Sequence, residues 1–192
     1  MKAIKEIIKS KEYKRLISFV EAEDIRRATK DNMLKAFTLL YYTGVRVNEL
    51  LQLKNSDIHT LIETGELIIF TKKTNRERKI HFSPEGVKAI KKVFDRVGFS
   101  TEPDEAFVIR SKGNLYKSPH HTNLVKSVNS LMQECLGERY SSHSFRRGII
   151  TEMAECSINP KIIQAYIGHS NVQTTLEYIV ASDDSIKNAL VR

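Results

Sequence analysis

The chain has 192 residues, 41% of them apolar, and carries a formal charge of +8. That length fits one domain, 1–192, with a core of its own, and the composition excludes a disordered or low-complexity chain. The excess of Lys and Arg, with a pI near 9.4, favours a polyanionic partner.

Residues 1–22 read as helix, interrupted or capped near Ser10, with Leu16, Ile17 and Val20 as the buried stripe. The opening MKAIKEIIKSKEYK is charged throughout and lacks the apolar run of a signal peptide. No stretch of the chain reaches the length of a membrane span, so the expectation is a cytoplasmic protein away from membranes. Asp31 is placed to cap a second helix, in which Met33, Leu34, Phe37, Leu40 and Tyr41 recur at helical spacing until Gly44 ends it. A third helix is expected from Arg46 to Leu53. Arg46 then stands at a helix start after a glycine turn, where it can lean into a pocket or pair with Glu49 or Asp57.

From Ile58 to Phe82 the apolar period becomes that of strands. Ile58–Ile62, Glu66–Thr71 and Arg78–Ser83, separated by turns at Thr64-Gly65 and Thr74-Asn75, suggest a three-stranded antiparallel sheet. The second turn holds Lys72, Lys73, Arg76, Arg78 and Lys79. Such a cluster is either a solvated hairpin tip or a finger that enters a DNA groove.

Ser83-Pro84-Glu85 starts a helix whose Val87, Ile90, Phe94 and Val97 face inward up to Gly98. Residues 99–106 read as a surface loop, and Phe107–Ile109 as a short extended piece. Ser118-Pro119 opens another helix, with Leu124, Val128, Leu131, Met132 and Cys135 inward and His120 and His121 in its first turn. Cys135 and Cys156 both lie in helical patterns with apolar neighbours and show no ligand spacing, so they read as reduced core thiols rather than a metal site.

His143 and Arg146 lie three apart and point from one helix face, with Ser142 before them as the cap. That helix start aims both side chains and its own free N–H groups at an anion. Asn159-Pro160 begins another short helix, Gly168 ends it, and His169 follows in the turn. Tyr178 falls on a further helix with Val172, Leu176 and Ile179 as its apolar stripe. Ser182-Asp183-Asp184 caps a last helix, Ser185–Val191. The architecture expected from these elements is α+β: one mostly helical domain with a small three-stranded antiparallel sheet.

Three stretches together resemble the catalytic domain of the tyrosine recombinases, the phage integrase family. His143-Ser-Phe-Arg146, Gly168-His169 and Tyr178 look like its H-x-x-R, G-H and Y signature. Thr43-Gly44-Val45-Arg46-Val47-Asn48-Glu49-Leu50 is similar to its T-G-x-R-x-x-E-L box, and Ile69–Phe82 resembles the hairpin that carries its lysine. Phe145 and Arg147 stand where the family's H-x-L-R-H has leucine and a second histidine. The expectation is a catalytic domain without the family's usual N-terminal core-binding domain.

The resemblance implies a site-specific recombinase that attacks a DNA phosphate with Tyr178 and leaves a 3′-phosphotyrosyl link and a free 5′-hydroxyl. It implies catalytic roles for Arg46, Lys73, His143, Arg146, His169 and Tyr178, with Lys73 as general acid and Lys72 open as the alternative. Glu49 would orient His143 or Arg46, while Lys72, Arg76, Arg78 and Arg147 would contact double-stranded DNA. No cofactor, ATP or metal is implied. The protein would be a monomer when free and a homo-oligomer, a tetramer of paired sites, on DNA. A DNA-binding regulator that keeps the fold, and a type IB topoisomerase, are the alternative functions.

Overall fold

Three helices begin with the same local device, an acid at the third helical position that accepts from the N–H of the residue before the helix. In α1 (Ser10–Ala22) Glu12 takes the N–H of Lys9 at 3.0 Å, and in α3 (Val47–Leu50) Glu49 takes that of Arg46 at 2.8 Å. In α4 (Asn55–Thr64) Asp57 takes that of Lys54 at 2.8 Å. The computed structural model describes residues 6–71, 75–169 and 171–176. Its other elements are α2 (Arg27–Thr43), β1 (Glu66–Thr71), β2 (Arg76–His81), α5 (Pro84–Arg96), α6 (His121–Leu136), α7 (Ser142–Glu155), α8 (Pro160–Ile167) and α9 (Gln173–Leu176), with one 3₁₀ turn at Phe99–Thr101.

Helix α2 is the centre of the core. Every residue from Met33 to Leu40 is buried, because α1, α5 and α7 pack around it. Those eight buried residues include Lys35, which is wholly enclosed. Its ammonium meets Glu102 Oε2 at 3.1 Å, and Arg110 pairs with the other oxygen of the same carboxylate. Asn55 donates to that carboxylate at 3.3 Å, and Asn32 fixes the Arg110 backbone through bonds of 2.8 and 3.2 Å. A buried charge survives only when it is paired and hydrogen-bonded in this way.

The sheet has two antiparallel strands, not three, with Leu67 opposite Ile80 and Ile69 opposite Arg78. The expected strand Ile58–Ile62 is the middle of α4. Ile58 and Leu61 are three apart and both fully buried, a spacing that serves a helix face, and the Asp57 cap fixes the helical start. Within the hairpin, Leu67, Ile69 and Ile80 are buried while Ile68 and Phe70 are exposed, the alternation of a sheet with one covered face.

Smaller departures have equally local causes. Helix α2 starts at Arg27 rather than at Asp31, and Asp31 pairs back to Arg27 at 2.9 Å. The cap of α7 is Ser141, one residue before the expected Ser142; its N–H donates to Ser144 Oγ at 3.1 Å. Cys135 is buried in α6 as expected, but Cys156 is exposed, because it ends α7 and the chain turns away. Residues 6–9 run extended over α7, where Ile8 donates to the Ser144 carbonyl at 3.1 Å. Gly148 permits that approach: a Cβ there would lie 2.2 Å from the Ile8 oxygen. Among the described residues no helix is long and apolar enough to cross a membrane. The expected last helix, Ser185–Val191, lies outside the described residues.

Candidate active site

The last carbonyls of a helix have no partners within it and carry partial negative charge. In α8 those carbonyls gather arginines. The helix starts at Asn159-Pro160, with Asn159 Oδ1 accepting from the Lys161 N–H at 2.9 Å, and Gly168 ends it at φ +71°. The Ile167 carbonyl accepts from Arg146 at 2.5 Å and from Arg78 at 3.0 Å, and the Gly168 carbonyl from Arg46 at 3.4 Å. Gly168 is needed twice over. Its φ suits glycine, and a Cβ there would stand 2.9 Å from Arg78 Nη1.

Each arginine arrives on a different element. Arg46 precedes α3 after the Thr43-Gly44 turn, which closes through Thr43 Oγ1 accepting from the Val45 N–H at 3.0 Å. Arg146, on the buried face of α7, also donates to the Gly44 carbonyl at 2.9 Å. Arg78 comes from β2, two residues before Ile80 and so on the covered face of the sheet. Burial weakens the hold of its guanidinium on the proton, and the charge of Glu49 opposes that.

Glu49 ties this group together. Its side chain is 3% exposed. One oxygen accepts from Arg46 Nη1 at 3.2 Å and Thr71 Oγ1 at 2.9 Å, the other from the Arg46 N–H at 2.8 Å and Arg78 Nη2 at 2.9 Å. Four donors fill the lone-pair sites of the carboxylate. Glu49 thus accepts from both the backbone and the side chain of Arg46.

His169 lies in the turn after α8. Its Nδ1 is 2.9 Å from Thr175 Oγ1, at α9, and its carbonyl accepts from Gln164 at 3.1 Å. Burial, and then the charges of Arg146, Arg46 and Arg78, push the imidazole pKa down to about 4. At neutral pH the ring is uncharged and can donate one N–H.

A cavity of about 240 Å³ opens over this group, lined by Arg46, His143, Arg146, Arg147, Ile150, His169 and Thr174. Among the described residues that line it are three arginines, two histidines and no acid. His143 sits exposed in the first turn of α7 and Arg147 faces the same space. A dianionic or monoanionic phosphate group fits such a lining, since planar guanidinium groups offer paired donors to its oxygens.

Of the residues singled out from the sequence, Arg46, His143, Arg146, Arg147 and His169 thus meet at one cavity, with Glu49 behind them. Arg78 is turned inward, its side chain 9% exposed and bonded to protein groups. Arg76 opens β2. Lys72, Lys73 and Tyr178 lie outside the described residues. Besides Ile150 and Thr174 in the lining, Thr71, Gln164 and Thr175 went unnoticed in the sequence. Thr71 shares the inward face with Leu67 and Ile69, a period of two that marked it; Gln164 and Thr175 carry no such signal.

A second, larger concavity of about 820 Å³ lies where the N-terminal ends of α2 and α6 face the 110–119 segment. Arg26, Arg27, Arg110, Lys112 and His120 line it, with Asn32, Asn114 and Asn123 between them.

A model of the phage integrase family matches residues 6–185. The chain is 28% identical over 166 residues to a putative tyrosine recombinase XerC of Pseudomonas aeruginosa, covering 82% of this chain and 38% of that protein. To the tyrosine recombinase XerA of Pyrococcus furiosus it is 29% identical over 195 residues, covering 100% of this chain and 63% of the other. The chain therefore spans between about a third and two thirds of the length of these relatives. Among solved structures, a crystal structure of XerA recombinase superposes with a TM-score of 0.70 at 23% identity, over 97% of this chain and 62% of that one. XerH recombinase bound to its difH substrate in a pre-cleavage complex gives 0.71 at 17% identity, over 98% and 54%. With 180 of its residues matched by the family model, an arginine-rich cavity at the family's boxes and this shared fold, the chain belongs to the phage integrase family.

Proposed function

We propose that this chain is the catalytic domain of a site-specific DNA recombinase that cuts and rejoins strands through Tyr178. The observation that carries the reading is the cavity in which Arg46, Arg146, Arg147, His143 and His169 converge, with no acid among the described residues that line it. Phosphoryl transfer is mostly positioning and charge neutralisation, and this lining supplies both. The two guanidinium groups of Arg46 and Arg146 take the non-bridging oxygens, and neutral His169 donates a hydrogen bond to one of them. The Tyr178 oxygen attacks phosphorus as its proton passes to His143. The bond from phosphorus to the 5′-oxygen breaks, and Lys73 delivers a proton to that oxygen. The products are a 3′-phosphotyrosyl link and a 5′-hydroxyl, which reverse the step on another strand without ATP or metal.

Double-stranded DNA is the substrate, with Lys72, Arg76 and Arg147 as contacts. The basic concavity at Arg26, Arg27, Lys112 and His120 would meet phosphates about 25 Å from the cavity, the length of α2 at 1.5 Å per residue. The XerH complex, whose protein shares this fold, is described as bound to its difH substrate. A cytoplasmic monomer that assembles into a tetramer on paired sites completes the reading, with residues 183–192 exchanged between neighbours.

The test is covalent capture. Nicked suicide duplexes should give a protein–DNA adduct on a denaturing gel, insensitive to EDTA and absent from Tyr178→Phe. An adduct that survives in that variant reassigns the nucleophile, and cleavage lost on chelation removes the mechanism. Deleting 183–192 should spare single-site cleavage and impair recombination between two sites.

A further inference from the structure

Arg78 joins three parts of the molecule that are distant in sequence. It stands on β2, donates to Glu49 on α3 at 2.9 Å, and donates to the Ile167 carbonyl at the end of α8 at 3.0 Å. Its side chain is 9% exposed and its Nε is enclosed without a hydrogen-bond partner. Opposite it, Ile69 is buried in β1, and two residues further along that strand Thr71 donates to the same Glu49 carboxylate at 2.9 Å. The hairpin is thus fastened to Glu49 from both strands. The fastening also depends on Gly168, whose missing Cβ leaves the space that the Arg78 guanidinium occupies. A long, charged side chain enclosed this way is held for what it joins, since leaving it on the exposed face would cost far less.

We infer that Arg78 is a positioning residue rather than a DNA contact: it clasps the β1–β2 hairpin to the turn that carries His169, and so sets the hairpin in register with the phosphate cavity. This rests on the proposed strand-transfer reading for what the register serves. Residues 72–75 connect the strand ends Thr71 and Arg76, so the lysine proposed as general acid is carried on the element that Arg78 holds. Lysine in place of Arg78 keeps the charge but presents a single point donor, so it cannot span two acceptors on different elements.

The experiment compares wild type, Arg78→Lys, Arg78→Ala and Lys73→Ala in three measurements. Single-turnover cleavage of the nicked duplex should fall by up to roughly 10²-fold in Arg78→Ala, the scale for a misplaced catalytic group, with partial recovery in Arg78→Lys. A substrate whose bridging 5′-oxygen is sulfur should restore Arg78→Ala as it restores Lys73→Ala, because both lose leaving-group protonation. The slope of log binding constant against log salt should be unchanged, and amide exchange in β1, β2 and at Gly168-His169 should quicken in both Arg78 variants. A salt slope shallower by about one charge, the loss of one phosphate contact, with exchange unchanged, would overturn the clasp and make Arg78 a DNA ligand. Normal cleavage by Arg78→Ala would overturn it as well. Should wild type give no adduct at all, the strand-transfer reading fails, while the exchange data still decide whether Arg78 holds the hairpin.

Discussion

Two carboxylates in this molecule, Glu49 buried and Glu102 with its side chain 12% exposed, are each gripped by two cations, and they serve opposite ends. Glu102 meets Lys35 and Arg110 inside the core beside α2, with Asn55 completing its shell. Glu49 meets Arg46 and Arg78 beside the cavity, with Thr71 completing its shell. The first cluster is closed around its lysine: the Lys35 side chain is wholly enclosed, while Arg110 is 20% exposed and borders the second concavity. The second is open on one side, for the Arg46 side chain is 36% exposed and lines the cavity with Arg146 and Arg147. An ammonium enclosed as Lys35 is can only hold the fold together. An open cluster keeps positive charge in excess of its acid and offers the surplus to an anion. The contrast separates the residues whose loss should unfold the protein from those whose loss should stop its chemistry.

The sharpest way to break that contrast is Glu102→Gln. It leaves the enclosed Lys35 without its counter-charge, and breaking a buried pair from one side costs about 3–5 kcal/mol. Burial already lowers the Lys35 pKa, against the pull of Glu102, so it should fall further in this variant. Urea unfolding should show the loss, while cleavage by the folded fraction stays normal. Lys35→Met should be milder, since Glu102 keeps Arg110. A Glu102→Gln protein as stable as wild type would mean that the closed cluster is not what holds this part of the core.

Arg146→Lys is the counterpart in the open cluster. It should lower the cleavage rate by about 10²–10³, the usual cost of one preorganised donor. The melting temperature should move less than in Glu102→Gln. An equal loss of stability and no selective loss of rate would erase the distinction between the two clusters.

Gly148→Ala tests the strap of residues 6–9 that runs over α7. A methyl placed 2.2 Å from the Ile8 oxygen must displace backbone, and overpacking of that kind costs about 1–3 kcal/mol. Hydrogen exchange at Ile8, whose amide bonds to the Ser144 carbonyl, should accelerate. If the variant is as stable as wild type and Ile8 is still protected, the contact is not binding the strap.

The open cluster was far more legible in the sequence than the closed one. Thr43 to Leu50, His143 to Arg146 and Gly168-His169 stand in family order, and their residues meet at one cavity. Lys35 and Glu102 lie 67 residues apart, and nothing in a helix reading marks a lysine that will be enclosed by a distant loop. The strand expected at Ile58–Ile62 failed for a simpler reason. A short apolar run suits either period, and the deciding signal, Asp57 three residues after Lys54, was a cap rather than a pattern. The inward turn of Arg78 was readable from its alternation with Ile80, yet the surrounding positive charges drew attention to solvent instead. Side-chain direction in a hairpin follows the pleat before it follows charge.

The smallest expected effect concerns His169 and pH. Its folded pKa of about 4 lies below the unfolded value of about 6.5, for burial and three arginines disfavour the imidazolium. Between those values the unfolded chain binds more protons than the native one, so stability rises with pH across the window and is lost as pH falls from about 6.5 toward 4. A DNA phosphate in the cavity reverses part of this. Its negative charge offsets Arg146, Arg46 and Arg78 at the ring, so the pKa of His169 should rise on binding. Binding then takes up a proton and should tighten as pH falls through the same window, while the free protein weakens. Titrating the His169 ring by NMR, with and without an uncleavable duplex, measures both shifts. His169→Gln removes the titrating ring, and with it the pH dependence of binding should flatten. A free-protein ring that titrates near 6.5, or a bound ring that titrates no higher than the free one, would mean that the arginines do not face this histidine with their surplus charge.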